Sequence, residues 1–225
     1  MRNGDERFRG VRALIFDLDG TLIDSKTDLI LSVNATLAHM GHAELPEDVV
    51  CGYIGRGAAA LIRSSLGDRV TDEQAEEGHE YFLSYYRKHM LDHTVTYPGV
   101  REALAELDAT REHRMAVLTN KPVRFSEHIL EGLGIAEHFQ FVFGGNSFER
   151  KKPDPMGVEL LLRNFGLEPQ AAMMVGDSDV DVMTARNSGV WSCGVTYGLG
   201  MEGMRVTPPD LLLDTLAELP GYVRV

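Results

Sequence analysis

The sequence predicts an α/β protein: a doubly wound parallel sheet carrying a small inserted α-helical domain. Three observations point there. A short apolar run, Ala13-Leu14-Ile15-Phe16, leads straight into Asp17 and Asp19, as in a strand buried on both faces of a parallel sheet. From Tyr97 onward, strand-like and helix-like segments alternate, the pattern of right-handed βαβ winding. Between these lies a stretch with helical patterning and no strand, about residues 24–92, which reads as a bundle-like insertion.

Each element has a local reason. Gly20 lets the chain turn after Asp19, and Asp24 or Ser25 is placed to cap a helix carrying Leu29, Leu31, Val33, Leu37 and Met40 or to serve as a hinge. Gly41 stops that helix and Pro46 opens a short second one. Residues 52–57 form a glycine-broken loop, and helices follow over 58–66 and 71–90, the latter opened by a capping box of Thr71 and Gln74. The alternating half predicts a helix over 100–108, a strand over 115–118, a helix over 123–133 and a strand over 139–143. A helix over 155–165, a strand over 172–175, a helix over 180–187 and strands at 191–195 and 211–213 complete it. The expected organisation is a core of residues 1–22 and 93–225 with residues 23–92 inserted over the carboxyl end of the first strand.

Composition narrows the function classes. A formal charge of −12 over 225 residues argues against nucleic acid or an anionic membrane surface as partner. An anionic substrate must then be drawn in locally, by a metal or a few placed cations. Two cysteines, Cys51 and Cys193, make no disulfide framework and fit a reducing compartment. Neither a signal peptide nor a spanning helix is expected, so a cytoplasmic protein, monomer or homodimer, is the reading.

Polar residues recur where strands end: Asp17 and Asp19, Thr119 and Asn120, Gly176 and Asp177. In a doubly wound sheet such ends converge on one crevice. Asp17 and Asp19 are two apart on an extended chain and face one side. Charges so close need a cation between them or a retained proton. Asp177 and Asp181, four apart at a helix start, are expected on one helix face. Lys152 lies in the run Lys151-Lys152-Pro153-Asp154-Pro155. The histidines show no ligand spacing, so hard oxygen donors rather than a zinc site are expected.

Four segments, Asp17-Leu-Asp-Gly-Thr-Leu-Ile-Asp-Ser25, Leu118-Thr-Asn-Lys121, Lys152-Pro-Asp-Pro155 and Gly176-Asp-Ser-Asp-Val-Asp181, resemble in order the motifs of the haloacid-dehalogenase-like hydrolases. The insertion resembles that family's helical cap. Residues Ile54-Gly-Arg-Gly-Ala58, Gly144-Gly145 and Tyr197-Gly198 are similar to its phosphoglycolate phosphatases. The resemblance implies a Rossmann-like core and a Mg²⁺-dependent phosphatase of a small phosphorylated metabolite, with 2-phosphoglycolate favoured. It makes Asp17 the nucleophile, forming an aspartyl-phosphate, and Asp19 the general acid and base. Thr119 with the Asn120 amide would hold the phosphoryl group, and Lys152 would neutralise it. Asp17, the Asp19 main-chain carbonyl and Asp177 would bind the metal, with Asp181 as a ligand or behind one. Arg56 is the candidate contact for a substrate carboxylate. A sugar phosphomutase of the β-phosphoglucomutase type or a pyrophosphatase shares these motifs. A dehalogenase would leave Asp19 and the metal carboxylates without a task, and a non-catalytic binding protein would leave every motif position unexplained.

Overall fold

The computed structural model describes residues 6–224; the expected core limits at residues 1 and 225 lie outside the described residues. Its axis is strand β1 (Ala13–Phe16), every residue of which is buried. Leu14 and Phe16 enter the larger of two apolar clusters and Ala13 and Ile15 the other, because alternate side chains leave opposite faces of a strand. Fully burying Leu14, Ile15 and Phe16 stabilises the fold by roughly 1.5–3 kcal/mol each, which explains why an apolar run sits here.

Five further strands join β1 in one sheet: β4 (Arg114–Leu118), β5 (Phe141–Phe143), β6 (Ala172–Gly176), β7 (Trp191–Val195) and β8 (Leu211–Leu213). The order is β5-β4-β1-β6-β7-β8 and every pairing is parallel. Helices α5 (Val100–Thr110), α6 (Val123–Gly132), α7 (Met156–Phe165), α8 (Asp179–Ser188), α9 (Met201–Val206) and α10 (Leu219–Tyr222) accompany it. The chain leaves β1 for β4 and β5 on one side, then returns to β6 on the other. That reversal puts the switch-point crevice at the carboxyl end of β1, between β4 and β6.

Four helices, α1 (Lys26–His39), α2 (Glu47–Cys51), α3 (Ala58–Leu66) and α4 (Asp72–His89), lie between β1 and α5. A feature the sequence did not announce closes the insert: β2 (Ile23–Asp24) and β3 (Val95–Thr96) pair antiparallel at its neck. Two residues per strand are too few to give a periodic signal. The neck is tied further by Asp28 of α1. Its buried carboxylate accepts hydrogen bonds from the His93 and Thr94 amides, the His93 ring and the Thr94 hydroxyl at 2.8–3.0 Å. The Thr71–Gln74 capping box opens α4 as expected. None of the described helices is long and apolar enough to cross a membrane.

Candidate active site

β1 and β6 deliver the acidic residues. Asp17 follows β1 directly, its amide donating to the Val175 carbonyl at 2.8 Å, and Asp177 follows β6. Ligand atoms of Asp17, Asp177 and Asp181 lie within 4.8 Å of one another, all three residues buried. Asp177 is not on the helix with Asp181, which corrects the sequence expectation of one shared helix face. Ser178 takes the N-cap of α8, and a capping box with Asp181 starts the helix there. The Ser178 hydroxyl donates to Asp181 Oδ2 at 2.7 Å, so Asp177 stays in the strand-to-helix turn. The two carboxylates meet anyway, through the turn rather than through helical periodicity.

Lys152 reaches this cluster from across the sheet, with Nζ 2.6 Å from Asp181 Oδ1 and 2.9 Å from Asp17 Oδ1. Its neighbour Lys151 is exposed. Burial alone would lower the Lys152 pKa, but Asp17 and Asp181 outweigh it and raise it. The contact with Asp17 is an ion pair without hydrogen-bond alignment, leaving Asp17 Oδ1 buried and without a hydrogen bond. Burial raises the Asp17 pKa to about 6 against the pull of Lys152, and raises Asp177 to about 7, helped by Asp181 and Asp17. Asp177 is oriented by the Leu199 and Gly200 amides, which donate to Oδ2 at 2.7 and 3.0 Å.

Three carboxylates against the one ammonium of Lys152 leave two negative charges uncompensated when all are ionised. One divalent cation would offset that charge, and the buried Asp17 Oδ1, in ion-pair contact with Lys152 but without a hydrogen bond, is placed to meet it. The surroundings are shaped for close approach. Gly20 has φ +81°, and a Cβ there would stand 2.3 Å from Asp177 Oδ2; one on Gly198 would stand 2.2 Å from Asp177 Cβ. Buried hard oxygens of this kind fit Mg²⁺.

Asp19, on the turn beyond Asp17, is held by a second set of groups. Lys121 Nζ donates to both of its carboxylate oxygens, at 2.8 and 3.0 Å. The Ser25 hydroxyl donates to Oδ1 as well. Ser25 occupies the N-cap of α1 without a side-chain capping bond, because that hydroxyl is committed to Asp19. Asp24 instead accepts from the Lys26 amide at 3.2 Å.

Thr119 and Asn120 follow β4 directly and are buried beside Asp17 and Asp19 in one cleft. The Asn120 side chain donates to the Gly55 carbonyl (3.0 Å) and the Lys152 carbonyl (3.2 Å), and accepts from the Lys152 amide (3.0 Å). It clips the insert loop to the lysine segment, so only its backbone is free for a ligand. Gly145 allows that backbone to approach: a Cβ there would stand 2.3 Å from the Asn120 carbonyl. Arg56 is exposed at a neighbouring, more polar part of the cleft that Asp177 also lines; it is not brought into the buried cluster.

Lys121 is the residue that sequence reasoning missed. It stands inside the quoted motif Leu118-Thr119-Asn120-Lys121, yet its partner Asp19 lies 102 positions earlier, and spacing offers no hint of the pairing.

The sequence matches known proteins over most of its length. Residues 14–195 fit the family model of haloacid dehalogenase-like hydrolases. The phosphoglycolate phosphatase of Vibrio parahaemolyticus is 37% identical over 224 residues, covering 96% of this chain and 97% of that one. That of Chromobacterium violaceum is 35% identical over 213 residues, covering 93% and 95%. A solved structure described as a predicted phosphoglycolate phosphatase from Haemophilus somnus aligns with a TM-score of 0.87 at 32% identity, covering 93% of this chain and 96% of that one. A parallel sheet with its acidic residues gathered at the switch point, matched by the family model from the first strand to β7, makes this chain a member of the haloacid dehalogenase-like hydrolases.

Proposed function

We propose that the protein is a Mg²⁺-dependent phosphatase of small phosphomonoesters, with 2-phosphoglycolate the favoured substrate. The observation that carries this reading is the buried group of Asp17, Asp177, Asp181 and Lys152, whose remaining charge one divalent cation would balance. Relatives named phosphoglycolate phosphatase at 35–37% identity support the choice of substrate.

In this reading an Asp17 carboxylate oxygen attacks phosphorus in line, the ester P–O bond breaks, and Asp19 gives its proton to the leaving oxygen. Asp19 then takes a proton from water, which attacks phosphorus of the aspartyl-phosphate, releasing phosphate and restoring Asp17. The Thr119 hydroxyl and the Asn120 amide donate to the phosphoryl oxygens. Lys152 offsets their charge and keeps Asp17 aligned, since phosphoryl transfer rests on positioning and electrostatics. Asp17, Asp177 and the Asp19 carbonyl would hold Mg²⁺, with Asp181 ligating it or orienting Lys152 from behind. Bound there, the ion neutralises the repulsion between an anionic nucleophile and an anionic substrate.

Residues 23–92 serve as a cap on a core of residues 1–22 and 93–225, closing over the cleft to exclude water. Arg56 is a candidate contact for the substrate at its rim. Unpaired Cys51 and Cys193 are in keeping with a cytoplasmic setting.

The test is phosphate release from 2-phosphoglycolate, p-nitrophenyl phosphate, pyrophosphate and β-glucose 1-phosphate, with Mg²⁺ and with chelator. The expected result is Mg²⁺-dependent hydrolysis with the highest kcat/KM on 2-phosphoglycolate. Interconversion of the sugar phosphate, or halide release from a haloacid without metal, would overturn it.

A further inference from the structure

One part of the cleft has no task in that chemistry. Beside Asp17 and Asp19 is a cavity walled by Leu29, Ile54, Leu61, Phe82 and Phe125, with Lys121 the one cation and Tyr86 the one phenol among its lining residues. Lys121 gives one donor to each oxygen of Asp19. An ammonium has three, so one donor remains. Its Nζ stands 4.7 Å from the centre of the Tyr86 ring. Tyr86, from α4, is 1% exposed, and its hydroxyl is buried without a hydrogen-bond partner. Such groups are rare in folded proteins and mark places where a ligand or water belongs.

We propose that Lys121 and Tyr86 form a subsite for a carboxylate on the leaving-group side of the substrate; this rests on the phosphatase reading above. Lys121 then spans two functions. Two donors fix Asp19, which meets the ester oxygen, and the third meets the carboxylate, joined by the Tyr86 hydroxyl. Because one ammonium touches both, the carboxylate must lie close to the ester oxygen, with a single carbon between them. Longer phosphorylated acids overshoot. The apolar walls offer sugar hydroxyls no partners, and the Asn120 side chain is already committed to Gly55 and Lys152. The subsite thus selects a short α-phosphorylated acid against sugar phosphates.

The experiment compares kcat/KM for 2-phosphoglycolate with that for ethyl phosphate, which keeps the ester and lacks the carboxylate. Displacement of Asp19 slows both substrates and cancels in the ratio, so the ratio isolates carboxylate recognition. Wild type is expected to favour 2-phosphoglycolate on the order of a hundredfold. Lys121→Met should bring the ratio near one, and Tyr86→Phe should lower it by about tenfold, as loss of charged and neutral donors to an anion predicts. Tyr86→Phe removes a single oxygen and serves if the lysine variant fails to fold. Binding is read separately by calorimetry in an Asp17→Asn background with Mg²⁺, where Tyr86→Phe should weaken 2-phosphoglycolate by about tenfold and leave inorganic phosphate unchanged. A ratio unmoved in both variants, or a wild-type ratio near one, would overturn the subsite and leave the phosphatase reading standing. Wild-type protein that turns over neither ester with Mg²⁺ would overturn both.

Discussion

The two faces of the cleft are built in opposite ways. On the core face, charged groups from the ends of β1 and β6 and from the Lys152 loop crowd together, each buried and each pressed against another charge. On the insert face, α3 and α4 contribute Leu61, Phe82 and Tyr86, with one phenolic hydroxyl as their polar group. Apolar walls raise the strength of every charge interaction they enclose, and they discriminate substrates by shape. In the proposed reading, chemistry belongs to the core face and selection to the insert face. Lys121 and Asn120 are the joints: one connects Asp19 to the Tyr86 ring, the other connects Gly55 to the Lys152 backbone.

Substitutions on the two faces should differ in kind, and the largest effect is expected at Asp17. Asp17→Asn should lower kcat by at least about 10⁴-fold, as loss of a nucleophile does, without lowering the melting temperature of the metal-free protein. Asp19→Asn should cost about 10²–10⁴-fold in kcat, the usual worth of a general acid and base. If either variant shifted substrate preference instead of rate, the division between faces would be wrong.

A smaller effect sharpens the electrostatic side of the comparison. The carboxyls of Asp17 and Asp177 have folded-state pKa values raised to about 6 and about 7, against about 3.9 for an unfolded Asp. A raised acid pKa contributes stability that is full below the unfolded value and lost as pH rises through the folded one. Metal-free protein should thus lose stability between about pH 4 and pH 7 from this pair, counter to the usual acidic trend. Mg²⁺ should raise the melting temperature more at about pH 8 than at about pH 5, where protons compete for the same oxygens. Equal Mg²⁺ shifts at both pH values would contradict the assignment of these carboxylates to the ion.

Asp28 tests the neck. Burial alone would raise its pKa, but the hydrogen bonds from His93 and Thr94 outweigh it and hold it below the ordinary value. Asp28→Ala should lower stability by about 1–3 kcal/mol through the donors left unpaired, read as a shift in the urea midpoint. Arg56→Ala should do least, about threefold or less in kcat/KM for 2-phosphoglycolate, because an exposed side chain is well screened by water.

Much of the core face was legible in the sequence, and the reason is geometric. A parallel sheet must place its strand ends together, so Asp17, Thr119 and Asp177 could be assembled from the order of apolar runs alone. The insert face gave no such lever. Tyr86 sits on the helix α4 among Tyr81, Phe82 and Tyr85, and nothing in helical periodicity separates the ring that meets Lys121 from those that do not. Asp28 and His93 are 65 positions apart, and Lys121 and Asp19 are 102 apart, with no repeating element to relate them. Even where the chosen residues do come together, local geometry escaped the pattern. Four-residue spacing gave Asp177 and Asp181 a shared helix, whereas the Ser178 cap starts the helix after Asp177.

Turnover in the proposed reading depends on Asp17 accepting a phosphoryl group. Enzyme turning over 2-phosphoglycolate with Mg²⁺, quenched in acid and digested, should yield the peptide containing Asp17 heavier by one phosphoryl group, and the Asp17→Asn protein should yield none. Continued turnover with that peptide unmodified at every quench time, or with the label on another residue, would contradict it.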